Sequence, residues 1–310
     1  MSLTIELIAA EIGEGAQEIG CKQGPQALRS RGLAQSLSRD GHVAVWGQTV
    51  TSDETLACNG KLAVVESFSP DLASAVLSAM GRQHFPLILG GDHSSAIGTW
   101  SAVAQAHHDR GDIGLIWIDA HLDSHTPDTS ESQAPHGMPL AALLGHGSER
   151  LISLFGWTGK IKPQNVVVIG ARSYEAGEAA LLQSVGVRVM DVAEVKVRGM
   201  VACMAEAIRM VSAGTIGYGV TFDVDAIDPQ DAPGVGSPVD DGIRVNQALA
   251  GLSLIADDER LLAFELVEYN PELDDAQRTT ATVCERLITA ALTSAGSLSG
   301  IKSDSIAMAA

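Results

Sequence analysis

The chain has 310 residues, 45% hydrophobic and 19% charged, with 32 glycines, long and apolar enough to bury a substantial core. Lys and Arg number 20 against 38 Asp and Glu, a formal net charge of -18, which disfavours any role built on nucleic-acid phosphates or an anionic membrane surface. Four cysteines, Cys21, Cys58, Cys203 and Cys284, form no C-x-x-C pair, so neither a disulfide framework nor a thiolate zinc site is expected, and a reducing cytoplasm fits.

No basic flank precedes the short apolar run 3–10, and no window reaches the ~18 apolar residues of a membrane span. Strands are expected at 3–9, 42–46, 86–90, 113–119, 165–170, 187–191, 215–223 and 260–267. Several are continuously apolar and β-branched, the pattern of strands covered on both faces. Helices are expected between them at 24–39, 69–80, 94–107, 193–211, 245–256 and 275–293. Ser69-Pro70-Asp71 offers an N-cap, a proline at the first helical position and an acid in the first turn, and Gly81 closes that helix. The repeated β-α order predicts a three-layer α/β/α domain around a mostly parallel sheet of about eight strands. No linker divides residues 1–310, and 298–310 reads as a flexible tail.

In such sheets ligands bind beyond the C-terminal ends of the strands. Three apolar runs end there in polar residues: Gly90-Gly91-Asp92-His93-Ser94, Asp119-Ala120-His121-Leu122-Asp123, and Phe222-Asp223-Val224-Asp225. Period two puts Asp119, His121 and Asp123 on one face. Carboxylates brought together repel one another unless protonated or compensated. Asp119, Asp123, Asp223 and Asp225 with His93 and His121 carry four formal negative charges, matching two divalent cations, and their O/N donors suit Mn²⁺. Co²⁺, Ni²⁺ or Fe²⁺ would also be accepted.

These motifs, with Glu268-Tyr269-Asn270-Pro271 and the early Gly20-Cys21-Lys22-Gln23-Gly24-Pro25, make the sequence resemble the arginase family of binuclear manganese ureohydrolases. The resemblance implies one metal on His93, Asp119, Asp123 and Asp223 and a second on His121, Asp119, Asp223 and Asp225, with a shared hydroxide as nucleophile. It implies Glu268 as the guanidinium partner and His136 as the proton-transfer histidine. The loop from Ser124 to His136 looks like that of arginases, with departures. His125 and Ala134 stand where arginases commonly have Asn, and Glu175 where they usually have Asp. Ser132 is retained, so His125, Ser132 and Glu175 are the expected head-group contacts.

The expected reaction is hydrolysis of L-arginine to L-ornithine and urea, with 4-guanidinobutyrate, 3-guanidinopropionate or agmatine as alternative substrates. The resemblance also suggests a homo-oligomer, trimer or hexamer. Three other classes are weighed: a mononuclear zinc deacetylase of similar fold, against which the presence of both His93 and Asp123 argues; a non-catalytic metal-binding protein; and a nucleotide-binding protein, for which no G-x-G-x-x-G is found. His107 and His108 read as surface residues at a helix C-terminus.

Overall fold

The computed structural model describes residues 3–293; the tail read at 298–310 lies outside the described residues. Eight strands are formed: β1 (Thr4–Glu11), β2 (Val43–Thr51), β3 (Phe85–Gly90), β4 (Gly114–Ile118), β5 (Val166–Ile169), β6 (Arg188–Met190), β7 (Tyr218–Asp223) and β8 (Leu261–Val267). They make one sheet in the order β2-β1-β3-β8-β7-β4-β5-β6, and every pairing is parallel. The helices are α1 (Gly24–Ser30), α2 (Leu33–Arg39), α3 (Lys61–Gly81), α4 (Ser95–His107), α5 (Pro139–Leu143), α6 (Glu149–Ile152), α7 (Ala176–Val185), α8 (Val192–Arg198), α9 (Met200–Val211), α10 (Val245–Leu252) and α11 (Thr279–Leu292).

Alternate residues of each strand serve opposite faces. Ile116, Ile118, Val220 and Phe222 join one apolar core with α1, α2, α9, α10 and α11. Leu115, Trp117, Val166 and Val168 join a second with α3 and α4. Both faces are dry, which is why these strands read as unbroken apolar runs rather than alternating ones.

Three helix readings change. The run 24–39 is two helices, because Gly32 between them takes φ +83°, the left-handed region that glycine enters without a Cβ penalty. The run 193–211 divides in the same way at Gly199, φ +85°. The third helix begins at Lys61 instead of Ser69 and carries Pro70 in its interior. The proline removes a backbone donor at a cost of about 3 kcal/mol, but it lies on the exposed side, and Ser69 donates its hydroxyl to the Val65 carbonyl at 2.8 Å. Burial of Val64, Val65, Phe68, Leu72 and Val76 offsets the loss, at about 1.5–3 kcal/mol per large apolar side chain. With its first turns included this helix is long and apolar enough to cross a membrane, which the shorter reading hid; here half of it is buried against the protein.

Strand order decides where the polar motifs meet. β3, β8, β7 and β4 are consecutive in the sheet, so the loops after them leave from neighbouring strand ends. Gly219 in β7 lets the sheet approach α4 closely: a Cβ there would lie 1.9 Å from the Trp100 ring. Gly219→Ala is therefore expected to lower stability by about 1–3 kcal/mol through overpacking, measured by denaturant unfolding; an unchanged midpoint would contradict this packing.

Candidate metal centre and catalytic cavity

All six expected ligands come together. His93 follows β3, Asp119, His121 and Asp123 follow β4, and Asp223 and Asp225 stand at the end of β7. Their donor atoms form two clusters, His93–Asp119–Asp123 and Asp119–His121–Asp225, each with its atoms within 4.8 Å of one another. Asp119 is common to both. Asp223 stands against the first cluster, its Oδ2 3.2 Å from His93 Nδ1.

His93 provides the sharpest test of whether a cation fits. Its Nδ1 lies 3.1 Å from Asp119, 2.9 Å from Asp123 and 3.2 Å from Asp223, yet it is a buried nitrogen without a well-formed hydrogen bond. Three carboxylates surrounding one unbonded imidazole nitrogen is the donor set of a divalent cation. His121 Nδ1 similarly faces Asp225 at 3.1 Å and Asp119 at 3.5 Å.

Among the protein groups alone the electrostatics are frustrated. Burial and the charges of Asp225 and Asp119 push the Asp223 carboxyl well up. Burial and Asp119 raise Asp123 to about 7. Asp119 goes the other way: burial opposes its charge, but the hydrogen bonds and charges of His121 and His93 hold it below the usual carboxylate range. Both imidazoles are raised because the surrounding carboxylates outweigh the burial that disfavours their charge. A divalent cation would replace these shared protons and relieve the repulsion.

The surrounding backbone is built to hold this geometry. Asp123 and Glu268 take φ of +49° and +66°, each at a cost of about 1–2 kcal/mol for a residue with a Cβ. Leu140 N donates to the Asp123 carbonyl at 2.9 Å, and Glu268 N to the Gly91 carbonyl at 2.7 Å. Gly91 permits close contact, since a Cβ would fall 1.8 Å from the Ile12 carbonyl oxygen.

Glu268 reaches the site from the end of β8. Its Oε1 accepts from His93 N at 2.9 Å and pairs with His136 Nδ1 at 3.0 Å. Burial disfavours its charge, but the His136 contact outweighs it and lowers the carboxyl pKa. Reciprocally, burial disfavours the His136 imidazolium while Glu268 favours it, giving about 9. The loop after β1 secures this pair: His136 N donates to the Gly15 carbonyl at 3.1 Å, and Gly15 N to Asp92 Oδ2 at 2.8 Å.

Beside the clusters lies a cavity of about 250 Å³, lined by His121, Asp123, Asp223 and Asp225 together with His125, Ser132, Ala134, His136, Tyr174, Glu175 and Glu178. A larger apolar cavity of about 340 Å³, between Leu3, Phe85 and Ile255, lies away from these clusters, so chemistry rather than size selects the site. His125 Nε2 is 2.7 Å from Glu175 Oε2 and 3.3 Å from Glu178 Oε2, so it faces two acids rather than standing free. Glu178 escaped the sequence reading. Its signal is the Glu-x-x-Glu spacing of a capping box: its carboxylate accepts from Glu175 N at 3.0 Å and also from Ser124 N at 3.3 Å. Of the two surface histidines, His108 is exposed and lies over Trp157, while His107 is half-buried.

The Arginase family model matches residues 4–293. The chain belongs to the arginase family. It is 40% identical to an arginase of Brevibacillus brevis, over 93% of this chain and 97% of that one. Among solved structures, an arginase from Bacillus subtilis superposes with a TM-score of 0.86 at 36% identity, covering 93% of this chain and 98% of that one. An Entamoeba histolytica arginase in complex with L-ornithine gives 0.86 at 28% identity, over 94% and 99%. As an arginase-family member the chain is an enzyme, an amidinohydrolase with metal-ligating His/Asp clusters at its site.

The His136–Glu268 contact makes a testable statement about charge. The folded state favours protonated His136, so this contact's contribution to stability is full below the ordinary histidine pKa of about 6.5 and is lost as pH rises through about 9. In Glu268→Gln burial is opposed only by the more distant charges of Asp123 and Asp92, and the His136 pKa should fall from about 9. NMR titration of the His136 ring reads this directly; an unchanged value would contradict the pairing.

Proposed function

We propose that the chain hydrolyses L-arginine to L-ornithine and urea. The reading is carried by one juxtaposition: two His/Asp clusters share Asp119, and His121, Asp123, Asp223 and Asp225 of this centre line the same cavity as His136, which pairs with Glu268. His93, Asp119, Asp123 and Asp223 would hold one ion, and His121, Asp119, Asp223 and Asp225 the other. Manganese is the proposed metal, with Co²⁺, Ni²⁺ or Fe²⁺ as substitutes that an oxygen-rich site accepts. Two divalent ions held there would supply a water activated for attack at neutral pH.

The protein's own groups do the rest. Glu268 Oε1 already accepts from His93 N and His136, which leaves Oε2 to take a guanidinium N–H and orient its plane toward the ion cluster. Binding there neutralises the buried carboxylate and loosens its hold on His136. His136, protonated below about pH 9, then gives its proton to the departing amine. In the same cavity Glu175 and Glu178 attract an α-ammonium, while Ser132 and His125 are the proposed donors to an α-carboxylate. Such a substrate displaces His125 from Glu175.

A second reading, hydrolysis of a guanidino acid without the ammonium such as 4-guanidinobutyrate, is favoured by one observation. His125 already pairs with Glu175 at 2.7 Å, and Ala134 has no side-chain donor to contribute. We further propose that residues 1–310 form one ureohydrolase domain that works in the cytoplasm on a small guanidino substrate, as a homotrimer or hexamer, without nucleic-acid or membrane partners.

The test is urea release by Mn²⁺-loaded protein from L-arginine, agmatine, 4-guanidinobutyrate and 3-guanidinopropionate. Glu175 is exposed and Glu178 buried, and both face His125 when no ammonium is present, so an α-ammonium competes with His125 for these acids. Arginine should lead in kcat/KM, because a substrate without the ammonium gives up that contact. A lead for 4-guanidinobutyrate would establish the second reading, and no urea from any of them with two metals bound would overturn both.

A further inference from the structure

Glu265 takes no part in the chemistry above, yet it is a fully buried carboxylate on β8 that accepts from four side chains. Oε1 takes Ser95 Oγ at 3.2 Å and Thr99 Oγ1 at 2.7 Å; Oε2 takes Trp100 Nε1 at 2.8 Å and Thr221 Oγ1 at 2.9 Å. Sheet register explains how it reaches the site. Thr221 on β7 pairs with Glu265 on one side and with Trp117 on the other, so the three stand in a row across the sheet.

Two members of the row, Trp117 and Thr221, converge on His93. Trp117 stacks on its ring, centroids 4.2 Å apart, and Thr221 Oγ1 lies 3.1 Å from its Nε2. Proton counting then fixes the direction of each bond. A threonine hydroxyl has one proton, and Thr221 donates it in its hydrogen bond to Glu265 Oε2. The Thr221 oxygen is left to accept, so His93 carries its proton on Nε2. Its Nδ1 lone pair is thereby turned toward Asp119, Asp123 and Asp223, which is where Nδ1 lacks a hydrogen bond of its own.

We propose that Glu265, acting through Thr221, is a positioning residue for the metal centre: it sets the tautomer and ring orientation with which His93 presents Nδ1 to the first ion. This rests on the two-metal reading given above. Outer partners of a metal-binding imidazole typically change affinity by about 10- to 100-fold; Trp117 donates to the shared Asp119 at 2.9 Å, but Thr221 and Glu265 reach the site through His93, so changes at these two should fall on one of the two ions.

The experiment is calorimetric titration of metal-free protein with MnCl₂, resolving two binding events, with EPR to count coupled Mn²⁺ pairs. Thr221→Val keeps the shape and removes the hydroxyl; it should weaken one event by about 10- to 100-fold and leave the other unchanged. Thr221→Ser should restore wild-type binding. Glu265→Gln should weaken the same event, and the Thr221→Val/Glu265→Gln double variant should bind no worse than Thr221→Val alone. Wild-type affinity for both ions in either single variant, or losses that add in the double variant, overturns the relay; should Glu265→Gln not fold, the Thr221→Val and Thr221→Ser pair decides. A wild-type chain that takes up fewer than two ions overturns the two-metal reading and this inference with it, whereas two ions in wild type and unchanged Thr221→Val overturns only the relay.

Discussion

Four carboxylates buried within a few ångströms of one another are the constraint around which the structure is arranged. Asp119, Asp123, Asp223 and Asp225 are all buried, and among the described residues the imidazoles of His93 and His121 stand in contact with them. A protein can keep such a group only if something compensates it, since desolvated like charges otherwise take up protons. Among the protein groups alone, burial and like charge push up the carboxyls of Asp223 and Asp123, and the carboxylates push up the imidazoles of His93 and His121, a repulsion that divalent cations would relieve. Metal affinity at this site is therefore expected to rise with pH, because each ion must displace protons from its ligands.

The parallel sheet makes this arrangement affordable. Four neighbouring strands, β3, β8, β7 and β4, end side by side, so each contributes one or more polar residues without any long loop reaching across. The two apolar cores beneath hold the strand ends rigid. Two of the left-handed non-glycine residues, Asp123 and Glu268, stand at the centre. Backbone hydrogen bonds from Leu140 and to Gly91 keep these conformations in place.

Much of this was legible in the sequence. Strands flanked by dry layers are runs of apolar residues, and a carboxylate at every second position beyond such a run stands out against it. The strand count and the carboxylate and histidine clusters could be found in that way, whereas Glu268 and His136 were implied only by the resemblance to the arginase family. The helix spanning Pro70 could not, because a proline after a serine reads as a first turn, and only tertiary burial of Val64, Val65 and Phe68 carries the helix past it. Gly32 and Gly199 were hidden for a related reason: a periodic apolar pattern continues through a glycine whether or not the backbone turns there. The residues supporting His93 were illegible for a deeper reason. Thr221 and Glu265 are 44 positions apart, and strand register alone makes them neighbours. His125 shows the same limit, since its two acidic partners lie on the loop and helix after a different strand.

The central claim is that this buried charge exists to hold two ions that share Asp119 and Asp223. Anomalous diffraction from Mn²⁺-soaked crystals tests it most directly. The account predicts two peaks, one bonded to His93 Nδ1 and one to His121 Nδ1, about 3.5–4 Å apart with both shared aspartates between them. A single peak, or none within the cluster, would contradict it.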